Sequence, residues 1–275
     1  MKSEKKPQAE FFCPCPGSHS VVLFIHGITE GPNQFKRLSA LCVQNGINAT
    51  ALLLPGHGKN GLDFAKNGHK KWKNYVYARI DTLRRQYAHI FLVGHSMGAL
   101  LAVDAYCHNR KQIDGIILLA APLHLRMTAR GVTSSLKMAF YITNPNDPYM
   151  QAKIENYSII KCSILTYPLW LPRYIDLYRM IRRTRKQLCC VQCPILMLHC
   201  MQDEFVPAKC VGTFEKHTDS RFGKYVVFKE AGHFFYRGDA EKIERTILQF
   251  LLEHNRFPKQ QGSPTAFSGN VQGAQ

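Results

Sequence analysis

The sequence predicts an α/β chain built on a mostly parallel sheet with helices on both faces. Short apolar, β-rich runs alternate with segments of helical apolar spacing, and the runs stop abruptly at glycine or proline. Strands that alternate with helices in this way pair in parallel and are covered on both faces. The chain has 275 residues, 45% of them hydrophobic, enough for one substantial domain with room for an insertion.

The elements follow in order. SVVLFIHG (Ser20 to Gly27) reads as a strand ended by glycine, and GINATALLLPGHG (Gly46 to Gly58) as another ended by Pro-Gly. Between them Phe35, Leu38, Leu41 and Cys42 have helical spacing. A helix at about Trp72 to Gln86, a strand at His89 to Gly94, a helix from Met97 to about His108 and a strand at Asp114 to Ala120 continue the alternation. It then breaks: residues 123–191 carry helical spacing with many Tyr, Met and Arg and no clear buried strand. Strands resume at Cys193 to Cys200 and Gly223 to His233, and a closing helix carries Ile243, Ile247, Phe250 and Leu251 on one face behind Asp239 as its N-cap. The organisation is therefore a tail 1–18, a domain 19–255 with an insertion 123–191, and a polar tail 256–275 expected to be disordered.

Composition narrows the class. Lys and Arg outnumber Asp and Glu by 36 to 19, a formal charge of +17 that points towards anionic partners. The N-terminus has charge but no apolar segment behind it, and no run approaches the ~18 apolar residues of a membrane helix. A cytoplasmic, soluble protein is expected. The ten cysteines sit mostly in apolar runs, as reduced packing residues would. Cys189, Cys190 and Cys193 cluster, with Cys13 and Cys15 far away, but no second Cys-x-x-Cys pair completes a zinc site, so no metal is expected.

The chemistry gathers at Gly94-His95-Ser96-Met97-Gly98, where a buried strand turns directly into a helix. A tight turn there holds the Ser96 hydroxyl out at the C-terminal edge of the sheet, and the flanking glycines remove side chains that would collide. The following helix aims its N-terminal N–H groups at any oxyanion the serine creates. A serine hydroxyl needs a base and an orienting acid. His233 lies just beyond the last strand and Asp203 three residues past the strand ending at Cys200, with Glu204 the rival acid. The chain order Ser96, Asp203, His233 is that of α/β hydrolases. Two N–H donors must stabilise the tetrahedral oxyanion; the candidates are the backbone amides of Met97 and of Ile28, which follows His26-Gly27 at the end of the first long strand.

The set HGIT, LPGHG, GHSMGA, HCMQDEFVP and AGH resembles the α/β-hydrolase superfamily, in its monoacylglycerol-lipase and bacterial carboxylesterase-like branch, from Ser20 to about Asn255. The resemblance implies the α/β-hydrolase fold with a helical cap, no cofactor, and hydrolysis of carboxylic esters of short to medium acyl chains. It maps the nucleophile to Ser96, the acid to Asp203, the base to His233 and the oxyanion amides to Ile28 and Met97. His57 in LPGHG falls in the family's structural loop. Cys200 departs from the pattern, which has glycine at that point of the acid loop.

The insertion 123–191 is then the cap, and Met138, Phe140, Tyr141, Tyr167 and Trp170 are candidates to pack it or to line an acyl tunnel. Arg173 to Gln187 carries six basic residues against one acid, which suits a solvated helix face or peripheral contact with an anionic membrane through Arg179, Arg182, Arg183, Arg185 and Lys186 beside apolar Leu177, Met180 and Ile181. The expected partner is a small-molecule ester; no nucleic acid is expected, because no binding motif accompanies the charge. A thioesterase, acyltransferase or aminopeptidase would use the same three residues, and a non-catalytic ligand-binding homologue would keep the shell.

Overall fold

The computed structural model describes residues 7–108, 113–140, 146–160, 162–234 and 239–255. Seven strands form one sheet in the order β1-β3-β2-β4-β5-β6-β7. They are β1 (Phe11–Cys13), β2 (Ser20–Ile25), β3 (Asn48–Ala51), β4 (His89–His95), β5 (Gly115–Leu119), β6 (Ile195–Cys200) and β7 (Gly223–Phe228). All neighbours run parallel except β1, which pairs antiparallel with β3. The period-2 geometry of a strand sends Val21, Leu23 and Ile25 to one face and Val22 and Phe24 to the other. Both faces are covered, so these strands read as unbroken apolar runs.

The helices are α1 (Lys36–Gln44), α2 (Gly61–Lys66), α3 (His69–Leu83), α4 (Met97–His108), α5 (Ala129–Ala139), α6 (Pro148–Asn156), α7 (Leu171–Gln187), α8 (Lys209–His217) and α9 (Ala240–His254). α1 and α9 pack on one face, through Leu38 and Cys42 and through Ile243, Ile247, Phe250 and Leu251. α3, α4 and α8 pack on the other. Every residue of α4 from Met97 to Tyr106 is buried, because α4 lies against the sheet on one side and α7 on the other. The connection between β5 and β6 holds α5, α6, a 3₁₀ turn at Ile164–Trp170 and α7. α7 keeps one buried stripe at Leu177, Met180, Ile181 and Thr184, the spacing of an amphipathic helix.

Several boundaries differ from expectation. The segment read as a tail already contributes β1, and Gln8 is buried, its amide donating to the carbonyls of Glu155, Asn156 and Tyr157. A three-residue edge strand is too short to carry a hydrophobic period. Helices α2 and α8 add to the elements read from the sequence. Asp239 occupies the N-cap position of α9 without capping it; its carboxylate accepts instead from the Glu230 N–H at 2.9 Å and from Lys242. Trp170 packs on Phe64 and donates to the Gly61 carbonyl, while Phe140 is exposed. Tyr141 and the tail 256–275 lie outside the described residues.

The first turn of α4 approaches β2 so closely that a Cβ on Gly98 would stand 2.0 Å from the Ile25 carbonyl oxygen. Gly212, inside α8, has open space where a Cβ would go. Urea unfolding should separate the two: Gly98→Ala should lose more than the ~1–3 kcal/mol of ordinary overpacking, since backbone cannot step aside. Gly212→Ala should gain about 0.5–1 kcal/mol from helix propensity alone.

Candidate active site

Ser96 is the single residue between β4 and α4, and its φ is +52°, the left-handed region that a serine rarely occupies. The turn is held from both sides. The Ser96 N–H donates to the Leu119 carbonyl at 2.8 Å, and a Cβ on Gly94 would lie 2.3 Å from the Gly98 oxygen. No residue but glycine fits either flank of this elbow. Met97 opens α4, and Ile28 stands in the loop after β2; among the described residues no loop, turn or side-chain hydrogen bond uses either amide. The loop is fixed from behind by two buried histidines. His57 Nε2 donates to the Ile28 carbonyl at 2.8 Å, and His26 accepts from the Leu54 N–H and donates to the Gly27 carbonyl. Burial lowers the pKa of both rings, His26 to about 3, so they hold the loop as neutral imidazoles. His57 therefore has a structural part.

Asp203 and His233 meet at 2.8 Å, Oδ2 to Nδ1. The other Asp203 oxygen accepts from the N–H groups of Phe205 and Val206, both at 2.8 Å, which orients the carboxylate. Burial would raise the Asp203 pKa, but the His233 imidazole and these hydrogen bonds outweigh it and hold the group below its ordinary value. Burial would likewise lower the His233 pKa; the carboxylates of Asp203, Glu30 and Glu204 outweigh it and raise it. Glu204 serves the backbone, its Oε2 accepting from the His233 N–H at 3.3 Å. The rival acids thus divide, Asp203 on the ring and Glu204 on the main chain. The Ser96 hydroxyl makes no hydrogen bond to His233 among the described contacts; the His233 Nε2 faces Glu30 Oε1 at 3.9 Å. Catalytic hydrogen bonds of this type often form only with substrate in place.

Glu30 is the residue that sequence reasoning passed over. It is buried, and its Oε2 accepts from His95 Nδ1 at 2.6 Å, from Gln34 and from the Gly27 N–H. The other nitrogen of His95 faces the His233 carbonyl oxygen at 2.8 Å. His95 thus bridges the Glu30 carboxylate and the main chain of His233, and none of these groups is exposed to solvent. Burial would raise the Glu30 pKa, but His95 outweighs it and takes it down to about 2.

Residues 16–239 match the family described as serine aminopeptidase, S33. The chain belongs to that family. It is 23% identical to a thermostable monoacylglycerol lipase of Bacillus sp. (strain H-257) over 186 residues, which cover 68% of this chain and 71% of the lipase. It is 33% identical to phospholipase YtpA of Bacillus subtilis over 112 residues, 39% of this chain and 42% of that protein. Among solved structures, the monoacylglycerol lipase of Paleococcus ferrophilus superposes with a TM-score of 0.67 at 20% identity, covering 90% of this chain and 98% of that one. A soluble variant of the monoglyceride lipase of Saccharomyces cerevisiae, bound to a substrate analog, gives 0.70 at 15% identity, covering 93% and 98%. The shared architecture is the α/β-hydrolase fold.

Within this S33 chain, the group of His, Cys, Asp and Glu close enough to share an ion, among the described residues, is Glu30, His95 and His233. Both nitrogens of His95 are already committed to protein oxygens, so the group is a hydrogen-bonded network and a poor ligand set. Cys200 packs in the core, and burial pushes its thiol pKa up, which makes it a filler of the acid loop and a weak target for oxidants. Glu30 left one trace in the sequence, an acid three residues past Gly27 in an otherwise apolar strand ending.

The buried pair of Glu30 and His95 sets a stability test. Because the Glu30 pKa is depressed from 4.5 to about 2, its contribution is complete above 4.5 and disappears as pH falls towards 2. Glu30→Gln should lower the unfolding free energy at pH 7 by about 3–5 kcal/mol, the cost of breaking a buried pair by removing one partner. In urea titrations across pH, the gap between variant and parent should close in that acid window; a gap constant with pH would contradict the assignment.

Proposed function

We propose that this lipase- and esterase-type α/β-hydrolase cleaves carboxylic esters of short to medium acyl chain, monoacylglycerol-like in class, through an acyl-enzyme on Ser96. The observation that carries the reading is the left-handed Ser96, presented at the sheet edge where the Asp203–His233 pair also ends. In the first half-reaction Ser96 Oγ attacks the ester carbonyl while His233 Nε2 takes its proton. The Ile28 and Met97 N–H groups receive the negative charge on the carbonyl oxygen, donors worth roughly 3–4 kcal/mol each. The tetrahedral species collapses, the C–O bond to the alcohol breaks, and His233 returns the proton to the leaving oxygen. Water then repeats the sequence and frees the acid. Asp203 keeps the Nδ1 proton in place, so Nε2 stays available as the base. No cofactor takes part. The relatives named as a monoacylglycerol lipase and a phospholipase favour oxygen esters of lipids over the amide chemistry of the family's name.

A cytoplasmic setting is supported by the ten cysteines, all of them free thiols. No helix among the described residues is long and apolar enough to cross a membrane. Peripheral contact with an anionic membrane is part of the proposal, although the surface differs from the one anticipated. Leu177, Met180 and Ile181 of α7 are buried in the core. The apolar residues that face outward belong to the turn before α7 and its opposite side: Leu165, 82% exposed, with Leu169, Leu171, Tyr174, Ile175 and Tyr178. Arg182 and Lys186 lie exposed along the same helix.

Fluorophosphonate should label the peptide holding Ser96 once, and Ser96→Ala should abolish both label and turnover. Asp203→Asn should lower kcat by about 10⁴, as loss of the acceptor that fixes the tautomer does, whereas Glu204→Gln keeps an acceptor for the backbone and should do little. Label at another serine, or the reverse order of the two acids, would refute the assignment.

Co-sedimentation with anionic and neutral vesicles tests the surface. Each basic residue at an anionic bilayer should contribute about 1 kcal/mol, weakened by salt. Replacing Arg182 and Lys186 by Gln should reduce binding to anionic vesicles only, and replacing Leu165 and Leu169 by Ser should reduce binding to both. Equal binding by all variants would leave the patch as plain solvated surface.

A further inference from the structure

A cavity of about 170 Å³ opens between α3 and α4 of the core and α7 of the cap, and none of Ser96, Asp203 and His233 lines it. Its polar lining is His69 and Lys73 from α3, Asp104 from α4, and Arg179, Arg183, Thr184 and Gln187 from α7. Two buried aspartates serve this region. Asp104 accepts from the Tyr77 hydroxyl and from Gln187 at 3.1 Å, and pairs with Lys73 at 3.2 Å and with Arg183 Nε at 2.8 Å. Asp176 accepts from His69 Nδ1 at 2.8 Å and faces Arg173 at 3.2 Å and Arg179 at 3.7 Å.

The charges do not balance. Lys73, Arg173, Arg179 and Arg183 face two carboxylates, a surplus of two positive charges before His69 is counted. Nor are the donors exhausted. Arg183 reaches Asp104 through Nε, leaving both terminal nitrogens over, and the Arg179 contact with Asp176 is long. The lining is too polar for an acyl chain, and one water takes roughly 30 Å³ of liquid, so the space suits a tetrahedral oxyanion with a few waters.

We propose that this cavity binds a phosphate group, free or as the phosphomonoester headgroup of a lipid, between Lys73 and the guanidinium groups of Arg179 and Arg183. A guanidinium fork matches two oxygens of a phosphate, and a lysine ammonium supplies a point charge to a third. A phosphomonoester carries about −1.5 to −2 at pH 7, which cancels the surplus. The bound group is shared between a core helix and a cap helix, so it ties the cap to the domain at a point remote from the ester-cleaving site.

Thermal unfolding of the full chain in rising inorganic phosphate, against sodium chloride at equal ionic strength, reads the site. A saturable rise in Tm is expected, since a ligand that binds the folded state alone stabilises it. Arg179→Gln and Arg183→Lys should each shift the phosphate midpoint at least tenfold upward. Arg183→Lys retains a charge for Asp104, so it keeps the test valid should a neutral residue there fail to fold. Arg221→Gln, at an exposed arginine paired with Asp219 before β7, should leave the midpoint unchanged. No saturable rise over chloride, or a rise that both cavity variants keep in full, overturns the proposal and marks a general salt effect. The source is read with dihexanoyl phosphatidic acid below its micellar concentration in the Ser96→Ala background, where it cannot be hydrolysed. A midpoint tenfold below that of phosphate, lost in Arg179→Gln, assigns a lipid headgroup; the converse assigns free phosphate. Because Ser96→Ala should bind phosphate like its parent, the result stands apart from the ester-hydrolase reading.

Discussion

The site depends on one close approach, that of the first turn of α4 to the last residue of β2. The Gly98 backbone lies so near the Ile25 carbonyl that any side chain would displace the helix. That contact is available because β2 and β4 are parallel neighbours in register, with Ile25 opposite Gly94. Their C-terminal ends open on the same sheet edge, as the ends of parallel strands must. The Met97 amide from α4 and the Ile28 amide from the loop after β2 are thereby brought to one side of Ser96. β6 and β7 end on that edge too, and the loops beyond them carry Asp203 and His233. Three distant stretches of chain end on one edge because the sheet is parallel, and the glycines let the Ser96 turn close against β2.

A parallel sheet edge explains where the groups are, while the charge states follow from burial. His233 is surrounded by three carboxylates, and an unpaired negative charge there would oppose any negative charge that develops on a bound substrate. His95 eases that conflict: one ring nitrogen meets Glu30 at 2.6 Å and the other meets the main-chain oxygen of His233 at 2.8 Å. At 3.9 Å the Glu30 oxygen is also too far from Nε2 to capture that nitrogen by a hydrogen bond. Asp203 is left as the acid bonded to the ring, and Glu204 as the acceptor for its backbone. A buried pair of this kind is weak evidence for net stability, since desolvating its members offsets most of their attraction. Its value here is positional.

Local pattern and long-range pairing were legible to different degrees. Ser96, Asp203 and His233 could be found because each sits where an apolar run stops, and the parallel sheet could be found because both faces of its strands are apolar. Glu30, His95, Gln8 and Asp104 could not, since their partners lie far along the chain: Glu30 meets His95 across 65 residues, His95 meets His233 across 138, and Gln8 meets Glu155 across 147. No periodicity records such pairs. The basic run of α7 was legible as charge and misleading as a surface. Successive residues of a helix point about 100° apart, so Arg179 and Arg183 fall at the cavity, Arg185 turns inward to the Leu123 carbonyl, and Arg182 stays in solvent. β1 escaped notice because an edge strand needs only backbone partners, and its sequence carries almost no signal.

The cap is fastened at two ends with different consequences. At α7 it is held through the buried stripe of Leu177, Met180 and Ile181, through Asp104, paired with Lys73 of the core and Arg183 of the cap, and through Asp176, which meets His69 of the core. At the end of α6 it is held by directed bonds to the loop that carries Ile28. The Ser158 N–H donates to the Thr29 carbonyl, the Ser158 hydroxyl donates to the Glu30 carbonyl, and Glu30 bridges to Tyr157. Gln8 closes the same corner from the N-terminal side, reaching Asn33 and the carbonyls that end α6. The loop that presents the Ile28 amide is therefore gripped from below by His26 and His57 and from above by the cap. Lifting this end of the cap would break bonds to Thr29 and Glu30, the two residues that follow Ile28, whereas loosening the α7 end would leave those bonds in place. The α7 end is held by its buried stripe of Leu177, Met180 and Ile181 as well as by ion pairs, so it is the α6 end that bears directly on the loop carrying Ile28.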